Sequence, residues 1–210
     1  MSYPIDSYLI AGRLTPDAVI GYHSALAFHG AAHSLREERL IITQHPLFRP
    51  FLFRGMTYQT VRPPRALIHK QEESFGVERQ DRQREGLRVT SLERTLVDAM
   101  DRPHLGGGWE EIWRSYEAVP YLDLEQVVNY ALLLENATTI AKVGYFLEGE
   151  RERWMVSDDY LAPLRTQGPR QPHYLDRSRA EPARMVKEWN LMVPEHILDR
   201  AWDDTGEPVA

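Results

Sequence analysis

An α+β fold is what this sequence predicts: a mixed β-sheet packed with a cluster of helices, in a single domain. Three observations lead to it. Short β-branched and aromatic runs crowd the first 90 residues. From Leu92 onward the apolar residues recur every three or four positions, the period of helices. After Pro172 strand-like runs return. Strands first, then helices, then a strand or two is the order of an α+β chain.

Residues 4–14 read as a short helix with Ile5, Leu9 and Ile10 inward. Thr15-Pro16-Asp17 reads as a second helix start, with Thr15 as cap and Pro16 in the first turn. That helix is expected to run to His29, burying Val19, Tyr22 and Leu26, until Gly30 stops it. Leu40, Ile41 and Ile42 lie in a row within 39–43, as in a strand buried on both faces. Residues 49–54 and Met56–Val61 predict a hairpin about Gly55. Pro63-Pro64 then breaks the sheet. Val77–Arg82 and 87–89 are two more strand segments.

The central helix is expected over 90–100. Thr90 and Glu93 stand three apart, the spacing of a capping box. Leu92, Leu96 and Met100 make one apolar stripe. Arg94 and Asp98, four apart, can pair along the helix or hold a neighbour. Pro103 and Gly106-Gly107-Gly108 end the segment. Further helices are expected at 109–119, at 124–134 behind an Asp123 cap, at 138–154, and at 157–164 behind Ser157. Residues 174–175 and 185–193 read as strands that rejoin the first sheet, and 195–202 as a last helix. The whole is one domain over 1–202 with a flexible tail at 203–210.

Composition bounds the function. The 210 residues are 42% hydrophobic and 27% charged, which is globular and not disordered. Zero cysteines exclude disulfides and thiolate metal sites. No run approaches the ~20 apolar residues of a membrane helix, and MSYPIDSYL lacks the basic start of a secretion signal. No membrane partner and a cytoplasmic location are therefore expected. The net charge is −6, yet residues 45–71 hold five basic residues and no acid, leaving −11 for the remainder. Those five are Arg49, Arg54, Arg62, Arg65 and Lys70, and they are the candidate contacts for nucleic acid or another anionic partner. Phe48, Phe51, Phe53 and Tyr58 are interleaved with them. Two readings follow: arginines on phosphates with stacking aromatics, or a hairpin with aromatics in the core and solvated arginines. A second run, 165–188, has six basic residues (Arg165, Arg170, Arg177, Arg179, Arg184, Lys187) against three acids.

Catalytic signatures are missing. His29 and His33 have the spacing of two metal ligands on a helix, but no third ligand is evident, and helix-end packing explains them as well. Asp98, Asp101, Glu148, Glu150 and Glu152 lack the strand-borne spacing of a metal-dependent nuclease. Gly106-Gly107-Gly108 is not followed by Lys-Ser/Thr, and no G-x-S-x-G occurs. No catalytic residue, metal or cofactor is expected. The second helix lacks the exposed Arg, Lys, Asn and Gln of a recognition helix.

Three phrases then carry a resemblance: YHSALAFHGAAHS at 22–34, RVTSLERTLVDAMDRP at 88–103 with GGWEE at 107–111, and AKVGYFLE at 141–148. In pattern and order, over about 5–200, the chain resembles the C-terminal domain of the AbiEi antitoxins of type IV, abortive-infection toxin–antitoxin systems. The Arg94-Thr95-Leu96-Val97-Asp98 phrase is its most specific part. The resemblance implies a non-enzymatic antitoxin and transcriptional regulator in phage defence. It implies a nucleotidyltransferase-like toxin as partner, countered with or without a stable complex. It implies operator DNA as a ligand of the whole protein. Such proteins carry an N-terminal winged helix-turn-helix, and this sequence begins where that domain would have ended. DNA contact would then rest on the basic hairpin. The alternatives are a DNA-binding or dimerisation domain without antitoxin activity, and a metal-dependent nuclease.

Overall fold

Val19 and Ile20 fall inside the expected second helix, and they form a strand instead. In the computed structural model, which describes residues 6–176 and 182–200, this strand is the seam of a six-stranded sheet. The first part of the chain runs α1 (Ser7–Ala11), β1 (Val19–Ile20), α2 (His23–Phe28), β2 (Glu38–Ile42), β3 (Phe51–Phe53), β4 (Met56–Val61), α3 (Arg65–Lys70), β5 (Val77–Arg82), β6 (Glu85–Thr90), α4 (Leu92–Asp101), α5 (Pro103–Gly106), α6 (Trp109–Glu117) and α7 (Leu124–Leu133). The sheet order is β3-β4-β2-β1-β6-β5. β1 pairs antiparallel to β2 and parallel to β6, while β2 and β4 are parallel. An antiparallel hairpin lies at each edge. A mixed sheet with helices gathered after it is the α+β class.

The register explains the displaced helix. Val19 opposes Ile42 and Ile20 opposes Ile41, so both β-branched residues are buried, one on each face. Branching at Cβ costs rotamer freedom in a helix and little in a strand. Tyr22 then takes a positive φ of 54°, and α2 starts at His23. One face carries Ile20, Ile41, Tyr58, Leu87 and Val89 under Tyr8 and Ala11 of α1 and Ala25 of α2. The other carries Val19, Leu40, Ile42 and Val61 with Tyr22 and Leu105. Burial on both faces is why the β2 apolar residues are consecutive.

Two helices were not expected. Pro63-Pro64 does end the strand, and α3 starts at once with Gln71 as a left-handed cap at φ 58°. Pro103, read as a terminator, opens α5, because proline suits a first turn whose N–H is unused. The Thr90–Glu93 capping box is also corrected. Thr90 is the last residue of β6, and the Ser91 N–H still bonds to Gly76 O at 2.8 Å. The cap is Ser91, whose Oγ accepts from the Arg94 N–H at 3.3 Å. Glu93 is thus one position too early to close a box, and it accepts from the Asp123 N–H at 3.2 Å.

Contacts divide the chain into two units, Met1–Leu134 and Glu135–Ala210. The second has α8 (Ala137–Gly149), α9 (Asp158–Gln167), β7 (His173–Tyr174), β8 (Ala183–Val186), a 3₁₀ turn (Lys187–Trp189), β9 (Leu191–Pro194) and α10 (Glu195–Leu198). Its strands do not rejoin the first sheet; they form their own, in the order β7-β9-β8. The expected single strand over 185–193 is broken by the 3₁₀ turn and by Asn190 at φ 48°, so the chain pairs with itself, Val186 opposite Leu191. The turn is fixed by Trp189. Its indole lies where a Cβ on Gly144 would be, and its Nε1 donates to Glu148 Oε2 at 2.6 Å. Ile5, Arg177, Arg179, Glu181, Trp202 and the expected 203–210 tail lie outside the described residues. Among the described residues, no helix is long and apolar enough to cross a membrane.

Candidate functional site

The residues of the central phrase meet inside the first unit. Arg94 and Asp98 are four apart on α4, and Arg94 Nε lies 3.2 Å from Asp98 Oδ2, their side chains 1% and 0% exposed. Arg94 Nη1 donates to Glu73 O at 2.7 Å and Phe75 O at 2.6 Å, fixing the turn before β5. Tyr130 of α7 donates to Asp98 Oδ1 at 2.7 Å, and Phe75 stacks on its ring at 5.2 Å. Burial works against the Arg94 charge, yet Tyr130 and Asp98 hold its pKa above the ordinary range. Burial also raises the Asp98 pKa, against the pull of Arg94 and the bond from Tyr130. A planar guanidinium suits this triple docking, which lysine could not reproduce. The network is sealed from solvent, so its chemistry is to join α4, α7 and the β5 approach.

A second buried network uses the 22–34 phrase. His23 Nε2 donates to Glu111 Oε1 at 3.0 Å. The same oxygen accepts from the Ser34 N–H at 3.0 Å and from Ser115 Oγ at 3.2 Å, and the His33 N–H donates to Ser115 Oγ at 3.1 Å. Burial pulls the His23 pKa down, against Glu111. Burial opposes the Glu111 charge, but the bonds from Ser34 and the presence of His23 leave its pKa below the usual range. His29 Nε2 bonds to Thr90 O at 2.8 Å. α2 ends at Phe28, so His29 and His33 do not share a helix face. Among the described residues, no group of three or more His, Asp or Glu could hold a metal.

The cationic residues are surface features, and they do not form one ribbon. Arg49, Arg54, Arg62, Arg65 and Lys70 are all exposed. Arg54 and Gly55, at φ 52° and 78°, make the two-residue turn of the β3–β4 hairpin. Arg62 follows the opposite end of β4, roughly 20 Å away at strand rise. Its Nη1 bonds to Gln44 O, and Arg102 Nη1 donates to Arg62 O at 2.8 Å. Arg65 opens α3 and Lys70 closes it, with Lys70 Nζ donating to Leu133 O at 3.2 Å. The structure thus puts Arg54 at the turn of the hairpin and leaves Arg49 at its open end, the end from which Arg62 and Arg65 follow. None of these four arginines has a carboxylate partner among the described residues. The second basic run differs: Arg165 meets Glu148 at 2.7 Å and Glu188 at 3.1 Å, and Arg184 meets Asp199 at 2.8 Å.

The hairpin aromatics divide. Tyr58 is core, while Phe51, Leu52 and Phe53 are 39%, 72% and 44% exposed. β3 is an edge strand, and its residues extend past the buried cluster under α1. Phe51 stacks on Tyr58 at 5.3 Å and Arg54 sits over Phe53 at 5.6 Å, so the exposed rings are held in place. The alternation of the sequence did not reveal this exposure, because it cannot say which strand stands at the edge.

No family model matches the sequence. No curated protein matches it either. Among solved structures the chain is similar to the Rv2827c protein from Mycobacterium tuberculosis, with a TM-score of 0.61 at 14% identity over 96% of this chain and 72% of that one. The likeness is one of fold.

Proposed function

We propose that this chain is the antitoxin and regulatory domain of a type IV toxin–antitoxin system, working in the cytoplasm by binding and without catalysis. It counters a nucleotidyltransferase-like toxin and contributes to control of its own operon through exposed cations. One observation supports the reading best. The side chains of the AbiEi-like phrases are buried and bonded in two pairs, Arg94 with Asp98 and His23 with Glu111, whereas Arg49, Arg54, Arg62 and Arg65 face solvent. A phrase of that kind encodes a scaffold, and the outward charge is left for a partner.

Co-expression with the toxin tests this. The wild-type chain should restore growth, and Arg54→Glu, Arg62→Glu and Arg65→Glu combined should weaken restoration or promoter-DNA retention. Unchanged values in both assays would remove the cations from the function. Arg62 and Arg65, which lack the apolar surroundings of Arg54, favour a second reading for their end of β4: phosphate contact by a regulator domain without antitoxin activity. Retention of DNA with no growth rescue would select it.

A further inference from the structure

We propose that the β3–β4 hairpin is a docking wedge that enters an acidic, apolar-floored cleft on a partner protein. This rests on the antitoxin reading, which makes the toxin the partner to test. Phe51 and Phe53 project from one face of the hairpin and Leu52 from the other, and all three are exposed. A strand apolar on both faces is covered only by something that surrounds it. Leu47, four residues before β3, is also 47% exposed. Three large apolar side chains exposed in a row on one strand are uncommon on a monomer surface, and aromatic residues with arginine are the composition of interface centres.

Charge selects the partner. Arg49 and Arg54 stand at the two ends of β3, roughly 17 Å apart at strand rise. Neither has a carboxylate partner among the described residues, and Arg54 is the tip of the turn. The partner must supply carboxylates at that separation around an apolar floor. A second copy placed symmetrically on this hairpin would bring its own Arg49 and Arg54 against the first pair, like charge on like. Single-stranded nucleic acid would stack on the phenylalanine face and leave Leu52 in water, and the rest of the chain carries −11. Strand addition is disfavoured as well. The two-residue turn makes Phe53 and Phe51 the residues hydrogen-bonded to β4, so residues 50 and 52 turn outward, and Pro50 has no N–H to offer.

The experiment titrates the full chain into a catalytically inactive variant of the toxin by calorimetry, with growth rescue measured in parallel. Wild type, Arg49→Glu/Arg54→Glu, and Leu52→Asp are compared, each checked by circular dichroism for an unchanged melt. All three positions are exposed, so folding should survive. A complex that weakens at least about 30-fold in both variants, the loss expected at interface centres, supports the wedge. Hairpin-dependent binding without growth rescue supports the wedge and overturns the antitoxin reading. Rescue without binding keeps the antitoxin reading and overturns the wedge. Equal binding by all three proteins, self-association of the wild type in sedimentation, or Phe51-dependent retention of a dT20 oligonucleotide in place of the toxin would also overturn it.

Discussion

Replacing Arg94 with methionine keeps an apolar stem of similar length and deletes the guanidinium. The fully buried Asp98 carboxylate then keeps only the Tyr130 hydroxyl at 2.7 Å, and the carbonyls of Glu73 and Phe75 lose their donor. Breaking a buried pair from one side costs about 3–5 kcal/mol, mostly the charge left uncompensated. Asp98→Leu strands the Arg94 charge in the same way and should cost about 3 kcal/mol. The double variant R94M/D98L removes both charges together. It should recover about 1–4 kcal/mol relative to the two losses added. Urea unfolding of the four proteins, followed by near-ultraviolet circular dichroism, closes the cycle. The R94M loss should also shrink in acid, because a protonated Asp98 has no charge to strand and burial already raises its pKa. An R94M loss below about 1 kcal/mol, or a double variant that is simply additive, would refute the view that this pair holds α4 in place.

Three further outcomes follow from the geometry. Ser91→Ala should cost about 1 kcal/mol in denaturant unfolding, and Glu93→Gln clearly less, since Ser91 and not Thr90 is the cap. Gly144→Ala should cost about 1–3 kcal/mol and shift tryptophan fluorescence, because the new methyl would overlap the Trp189 indole. Stability should fall on acidification. His23 and Glu111 both have depressed pKa values when folded, so their contribution is complete above the unfolded values of about 6.5 and 4.5 and is lost as pH drops toward the depressed ones. Melting curves between pH 8 and 4 should show this, and His23→Gln should flatten the part just below pH 6.5.

The local chemistry of this chain was legible and its long-range pairing was not. Gly55 announced the β3–β4 hairpin, Asp123 the start of α7, and the four-residue spacing of Arg94 and Asp98 their shared face. Each of those signals acts over a few residues. Val19 and Ile20 were misassigned because their helical surroundings were local, whereas their partners Ile41, Ile42 and Val89 are remote. The β8–β9 turn depends on Trp189 reaching Gly144, which no spacing encodes. The candidate surface divided in the same way. The missing acids of 45–71 showed where cations gather, but only the sheet order shows that Arg54 and Arg62 stand at opposite ends of β4 and that Phe51 and Phe53 lie at an edge.

β1 is two residues long, yet it alone connects the β3-β4-β2 half of the sheet to the β6-β5 half. Each half is stitched by neighbours close along the chain. The join needs Ile20 to find Val89, which forces a large loop to close before any contact rewards it. Assembly should therefore stall on this splice: the flanking hairpins form early, and the pairing of Ile20 with Val89 sets the pace. The same splice is the first place the folded sheet can part, so the Thr90 amide, which faces β1, should exchange with solvent sooner than that of Val89, which bonds back to β5.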